Sequence, residues 1–411
     1  MEPSPKPRVA LVGCGAVAQL YYTPALRELE ADGRLSVVAV ADPNSVNAAQ
    51  VRAQFPTAAW ARDASELTAH AIDLAIVASP HSMHAKHSIQ LLEAGVSVLC
   101  EKPMATSVAD AQAMMDAAAS ASGVLAIGMS RRFLPATQTI RRLLALNVLG
   151  DITSFNFSEG DASFLWPVAS PGYFRRGDAH GGVLLDIGIH ALDLMLWWLG
   201  EPIETVYEDD AMGGIEVNCR LRCTFSQGAV GEVRLSRDCA LANRYTLRGT
   251  KGWLTWTVNQ ADGFEIGFEG AGHLLKAELY EAVHTIPHAG PGKAALNFEQ
   301  SFVSQLSNVL GAMSNTEALL VPATEGIAAV RLVEHCYRHR RLMPMPWLSQ
   351  SETLRGTELN RPDLGIRKAM APEPIRAGRR SGSDFEAARC RLPEQLAQPA
   401  LTDKATDVGQ P

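Results

Sequence analysis

Residues 9–18 have the sequence Val-Ala-Leu-Val-Gly-Cys-Gly-Ala-Val-Ala, in which an apolar run leads into a glycine-rich hexapeptide. The run predicts a buried strand, and the two glycines permit a tight turn that brings a helix N-terminus close to a pyrophosphate. Ala18 is small enough for close packing of helix on strand. We therefore predict a dinucleotide-binding turn, with an ordinary glycine-rich βα turn as the alternative. The expected cofactor contacts are Gly13, Gly15, Ala16 and Val17.

Outward from this turn, short apolar runs alternate with amphipathic helical patterns as far as Gly128, which is typical of a doubly wound parallel sheet. The predicted strands are 9–12, 36–41, 74–78, 96–100 and 125–127. After a predicted helix at 135–146, strand-like runs with glycine-containing turns dominate residues 151–268 and favour a mainly antiparallel second domain. Helices are predicted at 183–199, 296–313 and 324–338. The predicted fold is α/β, with a Rossmann domain in residues 1–130 and an α/β domain in residues 131–350.

The amino-acid composition limits the kinds of molecule that this protein is expected to bind. The 411 residues carry a net charge of -7, so the chain lacks the basic face that nucleic acid or an anionic membrane requires, and a small-molecule partner is expected. Residues 1–7 contain no apolar signal segment, and the seven cysteines form no C-x-x-C pair, which fits a cytoplasmic protein. Residues 361–411 are rich in proline and charge and are expected to form a disordered tail.

The strand at 36–41 is followed by Asp42-Pro43-Asn44. A carboxylate at this place accepts hydrogen bonds from the adenosine ribose and repels a 2′-phosphate. No arginine follows until Arg52, so the sequence favours NAD over NADP. The alternative is that Asp42 only caps a turn.

Two further segments follow predicted strands of the same sheet. Glu101-Lys102-Pro103 follows strand 96–100, and Ser79-Pro80-His81 follows strand 74–78. Ligands of open α/β sheets bind outside the carboxyl ends of the strands, so both segments are expected at the cofactor crevice. A solvated turn is the alternative for Lys102. Although His81, His84 and His87 are regularly spaced, no carboxylate or cysteine completes a metal site, and we predict none.

Asp186, His190 and Asp193 are spaced i, i+4 and i+7 in an otherwise apolar stretch. This spacing places the three side chains on one face of a helix. Burying them costs several kcal/mol unless they are paired, which indicates a functional cluster or, alternatively, a mutually satisfied polar core. The charges also exclude a membrane span.

These motifs together resemble the family of glucose-fructose oxidoreductase, inositol dehydrogenase and the rhizopine-catabolism protein (Gfo/Idh/MocA). The resemblance covers residues 8–345. It depends on the hexapeptide with Pro24-Ala25-Leu26, on Asp42-Pro43, on Glu101-Lys102-Pro103, and on the glycine pair that leads to Asp186 and His190. It implies that the second domain has a large open sheet, which in this family often forms the interface of a homo-oligomer.

The resemblance also implies roles. Lys102, Asp186 and His190 form the catalytic set: His190 takes a hydroxyl proton, Lys102 holds the reacting oxygen, and Asp186 orients or shares the proton. Asp193 either orients His190 or is structural. Cofactor contacts extend to Ser79, Pro80, His81, Glu101 and Lys102, and substrate contacts to Tyr22, Lys102, Tyr173, Arg175, Asp186 and His190.

Arg131-Arg132 matches a recurrent family segment or is a surface pair. The implied activity is NAD-dependent hydride transfer between nicotinamide and a secondary hydroxyl or ketone of a sugar, cyclitol or related polyol. The alternatives are a redox glycosidase that retains NAD and a non-catalytic dinucleotide-binding regulator.

Overall fold

Two sheets organise the protein, whose computed structural model describes residues 6–121, 123–161, 181–279 and 297–361. The first sheet has six parallel strands in the order β3-β2-β1-β4-β5-β6. The strands are β1 (Arg8–Val12), β2 (Ser36–Ala41), β3 (Ala59–Ala61), β4 (Leu74–Val77), β5 (Ser97–Glu101) and β6 (Leu125–Gly128). Strand order reverses between β1 and β4, and this switch point creates a crevice at the carboxyl ends of the strands.

Helices cover this sheet because apolar residues recur among polar ones at helical spacing, and side-chain caps begin two of the four helices. They span Thr23–Ala31, Ser45–Arg52, His84–Glu93 and Val108–Ser120. Asn44 caps the second by accepting a hydrogen bond from Val46 N at 2.9 Å, and Ser107 caps the fourth through Asp110 N at 3.1 Å. A π-helical turn, Ala18–Tyr22, joins the glycine-rich turn to the first helix.

The second sheet has nine strands in the order β14-β13-β12-β11-β7-β10-β9-β8-β15. They are β7 (Ile152–Gly160), β8 (Glu204–Asp209), β9 (Asn218–Thr224), β10 (Val230–Ser236), β11 (Arg244–Gly249), β12 (Gly252–Thr257), β13 (Gly263–Phe268), β14 (Leu274–Glu278) and β15 (Arg341–Leu342). Only the pairs β7–β10 and β8–β15 are parallel among these described strands. The predicted α/β class with a mostly antiparallel second sheet is confirmed.

Five further helices follow β6 in the described part of the chain. They span Pro135–Ala145, Ile189–Leu199, Gln300–Met313, Ala323–Arg338 and Gln350–Leu359. A π-helical segment, Leu184–Gly188, precedes the second of them. The sequence prediction omitted both β3, which is only three residues long, and the helix Gln350–Leu359, in which Gly356 alone is buried and apolar periodicity is weak.

One helix packs differently from expectation. We expected the helix near residues 296–313 to close the second domain. Instead, Phe302, Leu306 and Val309 pack into the same buried cluster as Val9 and Leu11 of β1. The helix Gln300–Met313 therefore completes the core of the first domain, although it follows the second sheet in the chain.

Within the described ranges, no helix combines the length and the apolar character that crossing a membrane requires. The segment for which a disordered tail was predicted lies outside the described residues, apart from Arg361.

Candidate active site

The glycine-rich turn opens the cleft. Gly13 has a φ of +87°, and a Cβ built on it would lie 2.6 Å from the carbonyl oxygen of Ala78 and from Ser79 N, so only glycine fits between the β1 and β4 turns. A Cβ on Gly15 would meet no protein atom within 4 Å. The protein leaves open the space in front of Gly15, where a pyrophosphate would approach the backbone.

A cleft of about 990 Å³ runs from this turn to the second domain. This volume lies at the upper end of the range of ligand pockets, about 300–1,000 Å³. The predicted cofactor residues that line it are Gly13, Gly15, Ala16, Val17, Asp42, Ser79, Pro80 and His81. Asp186 and Arg237 of the second domain also line it, whereas the predicted contacts Glu101 and Lys102 do not, and Glu101 is buried.

Asp42 lies at the adenosine end expected for a dinucleotide. Its Oδ2 accepts a hydrogen bond from Cys14 N and its Oδ1 from Asn44 N, each at 2.7 Å. These bonds orient the carboxylate and leave lone pairs for further donors, so Asp42 both stabilises the turn and faces the cleft. Arg62, which follows β3, lines the same end. The sequence analysis missed Arg62 because β3 was not predicted.

Lys102 follows β5 and reaches across to the second domain. Its Nζ lies 3.0 Å from the carbonyl oxygen of Asp186 and 3.3 Å from Asp186 Oδ1. Burial lowers the pKa of Lys102 to about 8, Glu101 opposes this shift, and the nearby Arg237 adds to it. The structure thus brings together Lys102 and Asp186, two residues of the predicted catalytic set.

Glu101 supports Lys102 from below. One carboxylate oxygen accepts a hydrogen bond from the Tyr22 hydroxyl at 2.7 Å, and the other accepts one from Lys102 N at 3.0 Å. Gln305 donates to the same hydroxyl at 2.9 Å. Because Tyr22 is 0% exposed, its place suits a supporting role behind Glu101 rather than the predicted direct contact with a substrate.

Asp186 holds a cation on each carboxylate oxygen. Lys102 contacts Oδ1, and the guanidinium of Arg237 forms an ion pair with Oδ2. Arg237 follows the carboxyl end of β10, and no spacing in the sequence connects it with Asp186. Two adjacent positive charges favour the ionised carboxylate.

His190 lies one turn after Asp186. Its Nδ1 is buried and has no hydrogen-bond partner among the described residues. Burial and the charges of Lys102 and Arg131 hold the pKa of His190 well below its usual range. The imidazole is therefore neutral at ordinary pH and able to accept a proton.

Asp193 does not orient His190, which corrects one of the two roles considered for it. Its carboxylate forms a bidentate pair with Arg132, with Nε–Oδ2 at 2.9 Å and Nη2–Oδ1 at 2.7 Å. Arg132 also pairs with Glu325. The π-helical segment before Ile189 and this buried pair give Asp193 a structural role, separate from Asp186 and His190.

The arginine pair after β6 is buried, so it is not a surface pair. Arg131 forms a bidentate ion pair with Glu159, and the Tyr245 hydroxyl donates to Glu159 at 2.6 Å. Tyr173 and Arg175 lie outside the described residues. Across the described residues, no cluster of three histidine, cysteine or acidic side chains could hold a metal ion.

Two models of known protein families match the sequence of this chain. Residues 7–129 match the model described as "Oxidoreductase family, NAD-binding Rossmann fold", and residues 137–255 match the GFO/IDH/MocA C-terminal domain. The two matches together cover more than half of the chain. The chain belongs to the Gfo/Idh/MocA family. The resemblance inferred from Glu101-Lys102-Pro103 and the Asp186 segment is thereby confirmed.

Several family members with assigned names are similar in sequence. D-glucoside 3-dehydrogenase of Escherichia coli (strain K12) is 34% identical over 201 residues, which are 47% of this chain and 54% of that protein. Rhizopine catabolism protein MocA of Rhizobium meliloti is 28% identical over 242 residues, 56% of this chain and 71% of that protein. The match to the first relative thus spans about half of its length.

Solved structures share the fold. Levoglucosan dehydrogenase in complex with NADH and levoglucosan superposes with a TM-score of 0.70 at 19% identity, covering 82% of this chain and 98% of that one. A 3-ketoreductase from Actinomadura kijaniata in complex with NADP gives a TM-score of 0.68 at 21% identity, covering 83% of this chain and 100% of that one. Family members with this fold are thus known with either dinucleotide.

Proposed function

We propose that this protein is an NAD-dependent dehydrogenase that reversibly oxidises a secondary hydroxyl of a sugar, cyclitol or related polyol. One observation carries the proposal: Asp186, which lines the cleft that begins at the glycine-rich turn, contacts Lys102, and the charge of Lys102 acts on the buried His190. In this proposal the first domain, residues 1–130, binds the cofactor, and residues 131–350 supply the substrate side. Among the named relatives, D-glucoside 3-dehydrogenase supports the substrate class.

The residues present fit a dinucleotide. The space before Gly15 is open, the cleft volume suits a ligand of that size, and Asp42 presents an oriented carboxylate at the adenosine end. This carboxylate favours the ribose hydroxyls of NAD. Arg62 at the same end is the group that would attract the 2′-phosphate of NADP, so the preference reflects a competition between these two side chains.

Each side chain has a separate role in the proposed reaction. When bound, the nicotinamide accepts the hydride that leaves the carbinol carbon. Neutral His190 accepts the hydroxyl proton, so that oxidation of the C–H and O–H bonds leaves a ketone. The Lys102 ammonium donates a hydrogen bond to the reacting oxygen and stabilises its developing negative charge. Asp186, paired with Arg237, holds Lys102 in place.

The decisive variant is His190→Ala. We expect turnover to fall by about 10²- to 10⁴-fold, because the proton acceptor is lost, while NAD affinity measured by calorimetry is unchanged. His70→Ala is the matched control, since His70 is exposed and does not line the cleft. Activity is followed as reduced nicotinamide over a panel of sugars, inositols, sugar acids and nucleotide sugars. Near-normal turnover in His190→Ala would remove the proposed role.

The wild-type protein also tests the reaction class. Aglycone release without net formation of reduced nicotinamide would replace the dehydrogenase by a redox glycosidase. Binding of the dinucleotide with no turnover over the whole panel would favour the regulator instead.

The cofactor preference is tested separately. Asp42→Ala should weaken NAD binding and relax discrimination against NADP, whereas Arg62→Ala should weaken only NADP. Dissociation constants of both dinucleotides for both variants decide this. An unchanged ratio in Asp42→Ala would contradict the assignment of NAD.

A further inference from the structure

A buried histidine outside the catalytic set joins two loops of the cleft. His84 is 1% exposed, and both of its ring nitrogens lie at hydrogen-bonding distance from backbone carbonyl oxygens. Nδ1 is 2.8 Å from the oxygen of Pro103, and Nε2 is 2.7 Å from the oxygen of Ser79. His84 begins the helix that follows β4, so its ring crosses from one βα loop to the next.

The two loops carry the two halves of the proposed chemistry. Ser79 follows β4 and lines the cleft where the cofactor is expected. Pro103 follows Lys102 at the end of β5, which lies beside β4 in the sheet. The position of Lys102 relative to the cofactor therefore depends on how these loops are held together.

The number of hydrogen-bond donors on the ring distinguishes the contact with Pro103 from the contact with Ser79. Carbonyl oxygens only accept, and a neutral imidazole has one N–H. Burial lowers the pKa of His84 to about 4; the hydrogen bonds to the Pro103 and Ser79 carbonyls oppose this shift, and His87 on its own helix and Lys102 from the β5 loop add to it. The neutral ring thus donates to one carbonyl at a time. The Ser79 loop has a second side-chain contact, since Ser79 Oγ lies 3.0 Å from His87 Nδ1.

We infer that His84 is a positioning residue that fixes the Lys102 loop by donating a hydrogen bond from Nδ1 to the Pro103 carbonyl; the inference rests on the proposed function of Lys102. The peptide of Lys102 is then held on both sides. Glu101 accepts from Lys102 N at 3.0 Å, and His84 holds the next carbonyl. Nζ depends on this support for its approach to Asp186.

Two isosteric variants separate the nitrogens. The amide N–H of His84→Asn replaces the donor at Nδ1 and keeps the contact with Pro103, whereas that of His84→Gln replaces Nε2 and keeps the contact with Ser79. We expect kcat within about three-fold of wild type for Asn and a loss of about 10- to 100-fold for Gln, because displacement of a reacting group by about 1 Å has an effect of this size. KM for NAD should change little in both.

A second measurement does not use activity. Acetylation of Lys102 by acetic anhydride, followed by mass spectrometry over a pH series, reports the pKa of Lys102 directly. In His84→Gln the measured pKa of Lys102 should differ from about 8, while in His84→Asn it should match that of the wild-type protein. Thermal unfolding of both variants checks that each is folded.

The outcomes are distinct. If Asn and Gln lose activity equally and the Lys102 titration is wild-type in both, His84 only fills space and the inference is overturned. If the wild-type protein transfers no hydride, the proposed function fails. The acetylation series then still decides whether His84 positions Lys102, since a shift in Gln alone supports it and equal titrations overturn it.

Discussion

The carboxylate of Asp186 contacts Lys102 through one oxygen and Arg237 through the other, and the proposed proton chemistry depends on this arrangement. A carboxylate between two cations stays ionised and is a weak proton acceptor. His190 is kept neutral by burial and neighbouring positive charges, which leave one ring nitrogen unprotonated and also reduce its basicity. Of the two roles considered for Asp186, orientation is therefore favoured over sharing the proton. The residues of the proposed catalytic set could be named from the motifs, but Arg237 could not, since ion-pair partners distant in sequence leave no pattern.

The pH dependence of substrate oxidation should reflect the lowered pKa values of His190 and Lys102. The pKa of His190 is lowered, so its neutral form persists well below pH 6.5 and no loss of kcat/KM is expected there. The pKa of Lys102 is lowered to about 8, so its ammonium is lost as pH rises through that value and kcat/KM should fall. Lys102→Arg should be less active but level above pH 8, because arginine does not deprotonate. An alkaline loss that persists in Lys102→Arg would contradict the assignment.

At the scale of elements, long apolar runs specified the strands of the first sheet well. Strand β3 was missed because Ala59–Ala61 is short and contains the half-exposed Trp60, so it has no periodic signal. The helix that carries His190 was predicted, but not its π-helical start at Leu184–Gly188. The spacing of Asp193 suggested a functional group, and only the tertiary structure reveals Arg132 as its partner.

The pair of Arg132 with Asp193 should matter for stability. Both side chains are at most 3% exposed, so Arg132→Leu leaves a buried carboxylate without its cation and should lower the free energy of unfolding by about 3–5 kcal/mol. The double variant with Asp193→Leu should recover much of this loss. Glu325→Gln is the control, because Glu325 is 44% exposed and should cost less than about 1 kcal/mol. Urea unfolding gives the free energy of unfolding of the wild-type protein and the three variants. An equal loss of this free energy in Arg132→Leu and in the double variant would contradict the pairing.

At the scale of the whole molecule, the sequence predicted two successive α/β units, and the two sheets agree with that. It did not predict that Gln305 reaches back to Tyr22 and so supports Glu101 beneath the active site. Amphipathic periodicity shows that a helix has an apolar face, but not which core that face enters. The homo-oligomer implied by the family resemblance stays a prediction.

The carboxyl end of the described chain offers a test of what holds the second domain. Asn360 donates a hydrogen bond to the buried carboxylate of Asp209 at 3.0 Å and accepts one from Met212 N at 3.1 Å. A chain ending at residue 349 should lose about 1–3 kcal/mol of unfolding free energy, since buried polar groups lose their partners. A chain ending at residue 361 should stay within about 0.5 kcal/mol of the full protein. Chemical denaturation compares the three, and an equal loss in both truncations would contradict this role of Asn360.

The helix Gln300–Met313 has a consequence for the exchange of domains between relatives. A ribosome must synthesise about 290 residues after β1 before Phe302 and Leu306 can complete the core that begins at that strand. A chimaera that takes only residues 1–130 from this chain would inherit a foreign helix at that interface, with an ill-matched surface against Tyr22. Recombination that preserves the cofactor half must therefore transplant two separate pieces of gene, the amino-terminal domain and the helix that closes it.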